Sequence, residues 1–424
     1  MIVLLAAIAF LPFANGRFGF WLAAIIGPAL LVRFMRTQPL ARALAGGVLA
    51  MSIAELFWWK GIIAIHGFAF VAASIVFGMV NVLPYVLDRA VARRVHGFAN
   101  TFTLPVAMIA LEMLAARFSP IGSWGSFAYT QAGNLPLLQL VSITGLAGVT
   151  FLVLWTAAIL NGTTRRGVIA YAVVVMAVLA FGGVRLLRAP REAHLRVAAI
   201  TPAVPTYTVA AFKADAKRAA AIQQELLDAS EREARRGAKV IVWSEGAGLV
   251  DARDEAAFLG RAAAVAKRSG AAIALAFLSL RGNAFENKSV LIDEQGRARW
   301  TYHKAHPVPG MEDRLRPGDG KLPVADTAFG RVSTAICFDA DFPELVRQAG
   351  RAGARLLIVP ADDWDVIASL HARMVKFRAI EEQLTVVRST SNGRSVAYDP
   401  YGRELASADY FSGARVMTAT IPSR

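Results

Sequence analysis

The sequence has little cysteine and little charge. Cys337 is the sole cysteine among 424 residues, so the chain cannot form an intramolecular disulfide or a zinc cluster built on several cysteines. Charged residues make up only 18% of the chain, whereas 55% of it is hydrophobic and the mean hydropathy is +0.45. These values are too apolar for a wholly soluble protein. We therefore expect part of the chain in a membrane, and the single thiol serves either packing or chemistry.

Acidic residues are especially scarce in the first part of the chain. Residues 1–193 hold 14 Lys and Arg against 4 Asp and Glu, which leaves +10, whereas residues 194–424 hold 32 against 27, which leaves +5. Sparse and mainly basic charge is typical of a membrane domain. The mixed charge of the second part lacks the dense basic stripe of a nucleic-acid-binding protein, so we expect no nucleic-acid partner. Apart from His303 and His306, the histidines show no metal-ligand spacing, and we expect no metal.

Seven apolar runs divide the first part of the chain, and most have about the 20 residues that a helix needs to cross a bilayer. They lie at 1–14, 18–36, 43–65, 67–87, 99–117, 136–160 and 167–187. Residues 1–36 form either two spans or one span and a buried segment. No basic region precedes the first run and no small-residue cleavage site follows it, so we expect no cleavable signal peptide. We predict a transmembrane domain of about seven helices over residues 1–193.

The loops between these runs alternate in basic charge. Those after the second, fourth and sixth runs are rich in arginine, whereas the alternate loops offer only Arg17, Lys60 and Arg117. The arginine-rich set comprises Arg33, Arg36, Arg42, Arg89, Arg93, Arg94, Arg165 and Arg166. Because Lys and Arg in short loops resist translocation, we expect this set in the cytoplasm. The sequence thus predicts that residues 194–424 lie outside the cytoplasm, which for a protein of the bacterial inner membrane is the periplasmic or extracytoplasmic side.

Two carboxylates, Glu55 and Glu112, lie within the apolar runs, where a charge is costly. Each has either a structural or interfacial role, such as pairing with Lys60, or binds a polar group of a substrate. The segment 119–129 is rich in Gly, Ser and aromatic residues. It is either an interfacial belt or part of a lipid entrance, and the sequence leaves both interpretations open.

Short β-rich runs alternate with charged helical stretches after Leu195. The predicted strands are 195–201, 239–243, 271–278, 332–337, 355–359 and 385–389, and the predicted helices are 212–236, 253–268, 342–352 and 366–382. This alternation favours a layered α/β domain over residues 194–424, with reactive groups at strand ends and in the loops after them.

Three residues at strand ends or in loops could form a nucleophilic site. Glu245 follows the apolar run 240–243, Lys304 lies in a polar segment, and Cys337 closes the run 332–336. A thiol becomes a nucleophile when a base takes its proton, and a cation or a backbone N–H stabilises the oxyanion that its attack creates. Taken one at a time, each residue is more often explained by packing, helix capping or solvation.

The sequence around these three residues resembles the Glu, Lys and Cys motifs of the nitrilase, or carbon–nitrogen hydrolase, superfamily, in the same order. The matching segments are 241–245, 302–312 and 336–344. The fusion to a multi-span domain is similar to the apolipoprotein N-acyltransferase family, which residues 122–155 and 378–403 also resemble. The resemblance implies a multi-span α-helical membrane domain followed by an α/β nitrilase-like domain, an αββα sandwich.

The resemblance also implies a reaction and a role for each residue. That family moves a fatty acyl group from a phospholipid to the N-terminal cysteine of a lipoprotein, through a thioester on its own cysteine. By resemblance, Cys337 is the nucleophile, Glu245 the general base and Lys304 the oxyanion stabiliser. Glu312 matches a second active-site carboxylate, and the backbone N–H of Phe338 is a further oxyanion donor. No cofactor is expected, because the thioester itself stores the acyl group.

The sequence departs from that family at points that bear on the substrate. The acidic residue two places after the cysteine is Asp339 in place of Glu, and only 24 residues separate Glu312 from Cys337. The chain also reaches Arg424 without the family's final membrane helix, and the segment 339–344 is more like soluble amidases. The main alternative is therefore a membrane-tethered amidase, and a non-catalytic membrane scaffold is another. A transporter is disfavoured because the apolar runs hold few paired polar groups.

Overall fold

Two units make up the fold, Met1–Arg188 and Ala189–Arg424. The computed structural model of the chain describes residues 1–190, 194–203 and 216–422. Helices form the first unit, and two β-sheets with flanking helices form the second. This arrangement confirms the predicted fold class. The first four residues of the predicted helix 212–236 lie outside the described residues.

The apolar sequence runs form the helices of the first unit. Their bounds are Ile2–Phe10 (α1), Ala23–Thr37 (α2), Leu40–Trp58 (α3), Gly67–Asn81 (α4), Leu83–Ala92 (α5), Thr103–Phe118 (α6), Leu135–Leu138 (α7), Val141–Thr144 (α8), Leu146–Ile159 (α9) and Arg165–Leu187 (α10). Within the described ranges, four helical stretches are long and apolar enough to cross a membrane, namely Leu40–Trp58, Gly67–Ala92, Ala99–Phe118 and Arg165–Leu187. The number of spans stays a prediction.

The apolar run 136–160 does not form one continuous helix. It is divided among α7, α8 and α9, with Pro136 in the first turn of α7 and Gly145 at the end of α8. The φ angle of Gly145 is 61°, a left-handed backbone conformation that glycine adopts without steric cost. Hydropathy alone cannot locate such a break, because glycine is compatible with an apolar run.

Glu55 is fully buried and hydrogen-bonded within the first unit. Its carboxylate accepts from Trp59 Nε1 at 2.7 Å and from Asn81 Nδ2 at 2.9 Å. The predicted pairing with Lys60 is therefore wrong, since Trp59, directly after α3, and Asn81 on α4 satisfy the carboxylate. These contacts favour the structural interpretation of Glu55.

Glu112 holds the Gly- and Ser-rich segment 119–129 in place. Its carboxylate accepts from Ser126 Oγ, from Thr150 Oγ1 and from the backbone N–H of Phe127, all at 3.0 Å. Three donors from two parts of the chain satisfy this half-buried carboxylate. Glu112 thus has a structural role, and it fixes the loop that follows α6.

Two sheets form the second unit. Their strands are Leu195–Ile200 (β1), Val240–Trp243 (β2), Gly248–Asp251 (β3), Ala272–Arg281 (β4), Ala284–Ile292 (β5), Ala298–His303 (β6), Val324–Thr327 (β7), Gly330–Thr334 (β8), Leu356–Asp362 (β9), Thr385–Ser391 (β10), Arg394–Tyr398 (β11), Glu404–Asp409 (β12) and Val416–Ile421 (β13). One sheet has the order β13-β1-β2-β4-β5-β6, with β3 beside β4, and the other has the order β12-β11-β10-β9-β8-β7. The pairs β1–β2, β2–β4, β8–β9 and β9–β10 are parallel.

Helices cover the outer faces of the sheets. They are Ala216–Arg235 (α11), Glu255–Ser269 (α12), Pro343–Arg351 (α13) and Asp365–Glu382 (α14). Alternate residues of β2 show the layering, because neighbouring side chains of a strand point to opposite faces. Val240 and Val242 pack in the apolar core that both sheets share, whereas Ile241 and Trp243 belong to a second apolar cluster that includes Leu226 of α11. The layers are therefore helix, sheet, sheet and helix.

Candidate active site

The predicted site residues follow the ends of strands in both sheets. Glu245 lies two residues after β2, Lys304 directly follows β6, and Cys337 lies three residues after β8. The carboxyl ends of parallel strands are where α/β proteins place reactive groups, because loops leaving neighbouring strands converge there. The backbone N–H of Glu245 donates to the carbonyl of Ala361 on β9 at 3.2 Å, which joins the two sheets at this point.

Cys337 lies in a tight turn, so its predicted place at the end of a strand is wrong. The strand ends at Thr334, and Cys337 begins the 3₁₀ turn Cys337–Asp341 with a φ angle of 47°. A non-glycine residue in this left-handed conformation costs about 1–3 kcal/mol, and such strain concentrates at functional sites. The residue is 4% exposed, and its Sγ lies 3.8 Å from the carbonyl oxygen of Asp362. Phe338 follows in the same turn, and its role as an oxyanion donor stays a prediction.

Lys304 is a buried cation between two carboxylates. Its Nζ lies 2.8 Å from Oε1 of Glu245 and 2.7 Å from Oε2 of Glu312, and the residue is 1% exposed. Burial alone would lower the pKa of Lys304, but the charges of Glu245 and Glu312 hold that pKa well above its usual value. Lys304 is therefore protonated at neutral pH.

Glu312 and Glu245 both contact the Lys304 ammonium. The Oε2 of Glu312 also accepts from the backbone N–H of Val308 at 2.7 Å. Burial raises the pKa of Glu312, the Lys304 ammonium lowers it and the charge of Glu245 raises it again, so that the pKa lies above its ordinary value. Glu312 thus takes up a proton more readily than an exposed glutamate does.

Three donors fix the orientation of Glu245. Its Oε1 accepts from Asn287 Nδ2 at 2.6 Å as well as from Lys304, and its Oε2 accepts from the backbone N–H of Asp362 at 3.0 Å. Asp362 therefore links the carboxylate to the thiol, because its N–H binds Glu245 and its carbonyl contacts Cys337. Asn287 lies on β5, and the sequence analysis missed it.

The thiol of Cys337 is neutral at rest. Burial raises its pKa and the Glu245 carboxylate raises it further, whereas the Lys304 ammonium lowers it, and the resulting pKa lies well above the ordinary value. A buried thiol of this kind attacks only when a base accepts its proton during the attack. The arrangement of thiol, carboxylate and ammonium can support base-assisted attack on a carbonyl group.

Asp339 joins the cysteine turn to the segment that follows Lys304. Its buried carboxylate accepts from Tyr302 Oη at 2.8 Å and from the backbone N–H of Ile336 at 3.2 Å. It also accepts from the backbone N–H groups of Ala305 at 3.1 Å and His306 at 2.9 Å. The Asp in place of Glu thus binds the protein's own backbone, and it holds the two loops that carry the lysine and the cysteine.

A buried ion network that the sequence analysis missed lies beside Cys337. His371 Nδ1 lies 2.8 Å from Asp363 Oδ1, and its Nε2 lies 3.0 Å from Asp341 Oδ2. Arg388 Nη2 lies 2.7 Å from the same Asp363 oxygen. Burial lowers the pKa of His371, but the Asp341 carboxylate and Asp363 outweigh this effect and raise the pKa to about 9. Two anions and two cations therefore balance each other next to the thiol.

Part of this network has the spacing of a metal site. A ligand atom of Cys337, one of Asp363 and one of His371 lie within 4.8 Å of one another. Arg388 donates to both oxygens of Asp363, at 2.7 and 3.0 Å, and so supplies the positive charge that a metal ion would bring. The donor set therefore fits an ion network better than a metal centre.

Comparisons with known proteins agree with this architecture. The family model "Carbon-nitrogen hydrolase" matches residues 197–424, and the model "Apolipoprotein N-acyltransferase N-terminal domain" matches residues 4–159. The apolipoprotein N-acyltransferase of Geobacter metallireducens is 26% identical over 363 residues, which cover 76% of this chain and 68% of that protein. The deaminated glutathione amidase of Mus musculus is 29% identical over 174 residues, which cover 35% of this chain and 54% of the amidase.

A solved structure of an amidase from Nesterenkonia sp. has a TM-score of 0.47 and 22% sequence identity, and the match covers 56% of this chain and 93% of the amidase. The two family models together span most of the chain, and the hydrolase model covers more than half of it. The chain therefore belongs to the carbon–nitrogen hydrolase family, and it shares its N-terminal helical domain with the apolipoprotein N-acyltransferases of that family.

Proposed function

We propose that the chain is a membrane N-acyltransferase. It moves a fatty acyl group from a phospholipid, through a thioester on Cys337, to the N-terminal amine of a lipoprotein or a similar acceptor. The observation that carries the proposal is the buried Cys337 thiol beside the Glu245–Lys304–Glu312 cluster, in a chain whose first part matches the N-terminal domain of apolipoprotein N-acyltransferases. A chain that carries apolar helices as well as such a site suits a substrate with a lipid tail.

The first half-reaction forms the thioester. Glu245 accepts the thiol proton as Sγ of Cys337 attacks the ester carbonyl carbon of the phospholipid. The Lys304 ammonium and the backbone N–H of Phe338 stabilise the negative charge that develops on the carbonyl oxygen. The carbon–oxygen ester bond then breaks, and the leaving oxygen takes the proton back from Glu245. The products are a lysophospholipid and an acyl group on the sulfur.

The second half-reaction transfers the acyl group to nitrogen. The acceptor amine attacks the thioester carbonyl, and Glu245 accepts a proton from the nitrogen. The same ammonium and N–H group stabilise the second oxyanion. The carbon–sulfur bond breaks, and Glu245 returns the proton to the Cys337 thiolate. An amide leaves the site, and the thiol and the carboxylate return to their starting states.

Glu312 positions Lys304 in this scheme. Its carboxyl contacts the same ammonium as Glu245 does, and the N–H of Val308 holds it there. A lysine fixed by two carboxylates loses little side-chain entropy when the oxyanion forms, which is the preorganisation that such catalysis requires. We assign no proton transfer to Glu312.

The proposed orientation in the membrane rests on the loop arginines. Short loops rich in arginine favour the cytoplasm, and in this proposal the chain resides in the inner membrane of a bacterium with residues 194–424 on the periplasmic or extracytoplasmic side. Phospholipid acyl chains are present in that bilayer, so the donor needs no soluble carrier.

A membrane-tethered amidase is the second candidate, and the similarity to the Mus musculus amidase over 35% of the chain favours it. Both reactions begin at the same thiol. They differ in what removes the acyl group from Cys337, which is an amine in a transferase and water in an amidase.

Mass spectrometry of the intact protein tests the thioester. We expect the full-length protein, incubated with phosphatidylethanolamine vesicles and no acceptor, to gain the mass of one acyl group that peptide mapping locates on Cys337. Hydroxylamine should remove the adduct, and Cys337→Ala should not form it. An unchanged mass in the folded wild-type protein would contradict the proposal.

A further inference from the structure

A basic cavity of about 260 Å³ lies in the first unit, and none of its lining residues belongs to the candidate active site. Arg36 near the end of α2, Arg89 and Arg93 at the end of α5, His96 and Asn100 are among its lining residues. The arginines belong to two of the loops whose charge predicts a cytoplasmic location. The fold therefore brings basic residues from separate parts of the chain around one space.

One of these arginines is already paired. Arg36 donates from Nε and Nη2 to both oxygens of Asp88, each at 2.8 Å, and Asp88 is fully buried. The other carboxylates of the first unit within the described ranges, Glu55 and Glu112, have the partners given above. The positive charges of Arg89 and Arg93 therefore have no carboxylate partner among the described residues of this unit.

Arg89 is buried without a full set of hydrogen bonds. It is 4% exposed, and one of its Nη atoms donates to the carbonyl of Met35. Its Nε and the Oδ1 of Asn100 are buried and have no hydrogen-bond partner in the part of the chain that the structure describes. The dipole of α5 favours cations near the end of that helix, which explains an exposed arginine such as Arg93. It does not explain a buried guanidinium with an unpaired N–H, because burial of such a group is costly.

We propose that this cavity binds a phosphate group of a phosphomonoester or phosphodiester. Guanidinium groups match the geometry of phosphate oxygens and form charge-assisted hydrogen bonds with them. Arg89 and Arg93 supply two uncompensated charges, and the Asn100 amide can present either its oxygen or its nitrogen to the ligand. An anionic phospholipid headgroup and a small soluble phosphate compound offer the same group. The lining residues of the cavity all belong to the first unit, and the proposal does not depend on the proposed acyl transfer.

The adjacent residues Arg93 and Arg94 provide a matched pair of variants. Both are exposed and each carries one charge, but only Arg93 lines the cavity. We expect Arg93→Gln to weaken binding about fivefold and Arg94→Gln to weaken it less than about twofold, because only the first removes a contact with phosphate. Arg89→Gln should weaken binding at least about tenfold, and circular dichroism melting shows whether that variant folds.

Two probes distinguish the sources of the phosphate group in the purified full-length protein in detergent. Native mass spectrometry measures binding of phosphatidylglycerol, and thermal stability measured against rising inorganic phosphate measures binding of the free ion. Binding of phosphatidylglycerol alone identifies a lipid headgroup, and stabilisation by inorganic phosphate identifies a soluble ligand; both outcomes support the site. Equal weakening by Arg93→Gln and Arg94→Gln, or no binding of either probe, would overturn the proposal.

Discussion

Replacement of Lys304 by methionine tests the electrostatic design of the site. Methionine preserves much of the volume of the lysine side chain but removes its charge. Lys304 is 1% exposed and lies 2.8 Å from Glu245 and 2.7 Å from Glu312. Removal of one partner from a buried ion pair costs about 3–5 kcal/mol. Loss of one oxyanion donor lowers a rate about 10²–10³-fold, so thioester formation in Lys304→Met should fall at least about a hundredfold.

The variant should also acquire a pH dependence of stability. Without the ammonium, Glu245 and Glu312 repel each other, and burial already raises the pKa of Glu312 above the ordinary 4.5. A carboxyl group whose pKa is higher in the folded than in the unfolded state makes the fold less stable as the pH rises above the unfolded value. We therefore expect the free energy of unfolding of Lys304→Met to fall from about pH 4.5 towards neutral pH, more steeply than that of the wild type.

Lys288 provides the matched control for this experiment. It is 4% exposed, lies on β5 and pairs with Glu255 at 2.8 Å and Glu286 at 2.9 Å. Lys288→Met should lower the melting temperature to a similar extent, whereas the rate of thioester formation, measured by intact mass against time, should stay near that of the wild type. Equal loss of rate in the two variants would refute the reasoning, as would a near-normal rate in Lys304→Met.

Three further predictions address the nucleophile, the ion network and the membrane orientation. Cys337→Ser should fold normally and lose acyl labelling, because an alkoxide is far harder to generate than a thiolate with the same base; near-normal turnover would contradict the assignment. The pKa of His371 is raised from 6.5 to about 9 in the folded protein. The charged histidine therefore stabilises the fold by on the order of 3 kcal/mol below pH 6.5, and this stabilisation is lost as the pH rises through 9. Chemical unfolding should show this loss in the wild type, and the same loss in His371→Gln would argue against a charged histidine. Alkaline phosphatase fused after Arg424 should be active and a green fluorescent protein fusion dark, and the reverse pattern would exclude the predicted orientation.

The sequence predicts the central strands better than the outer ones. All six predicted strands are confirmed as β1, β2, β4, β8, β9 and β10, within three residues at each end. Strands of this kind are buried on both faces and therefore form continuous apolar runs. The strands that the sequence analysis missed include β12, Glu404–Asp409, whose residues are exposed or half-buried. Such strands are held mainly by pairing with a neighbour, which a local pattern does not reveal.

Local motifs also explain which parts of the site could be predicted. Lys304 and Glu312 lie on one short segment, and the structure brings Lys304 into contact with both Glu312 and Glu245. His371 and Arg388 come from α14 and β10, and their partners are fixed only by the packing of those elements. The left-handed turn at Cys337 could not be predicted from the sequence either, because no pattern of residues around Cys337 specifies that backbone angle.

Analysis of the products tests the proposed acyl transfer most directly. The full-length protein is incubated in vesicles with a phospholipid that carries a labelled acyl chain and with a peptide that has a free N-terminal cysteine. The Glu245–Lys304–Cys337 site should yield N-acylated peptide and lysophospholipid in equal amounts, and Cys337→Ala should yield neither. Labelled free fatty acid as the main product, with the peptide unmodified, would contradict acyl transfer and identify the chain as a hydrolase.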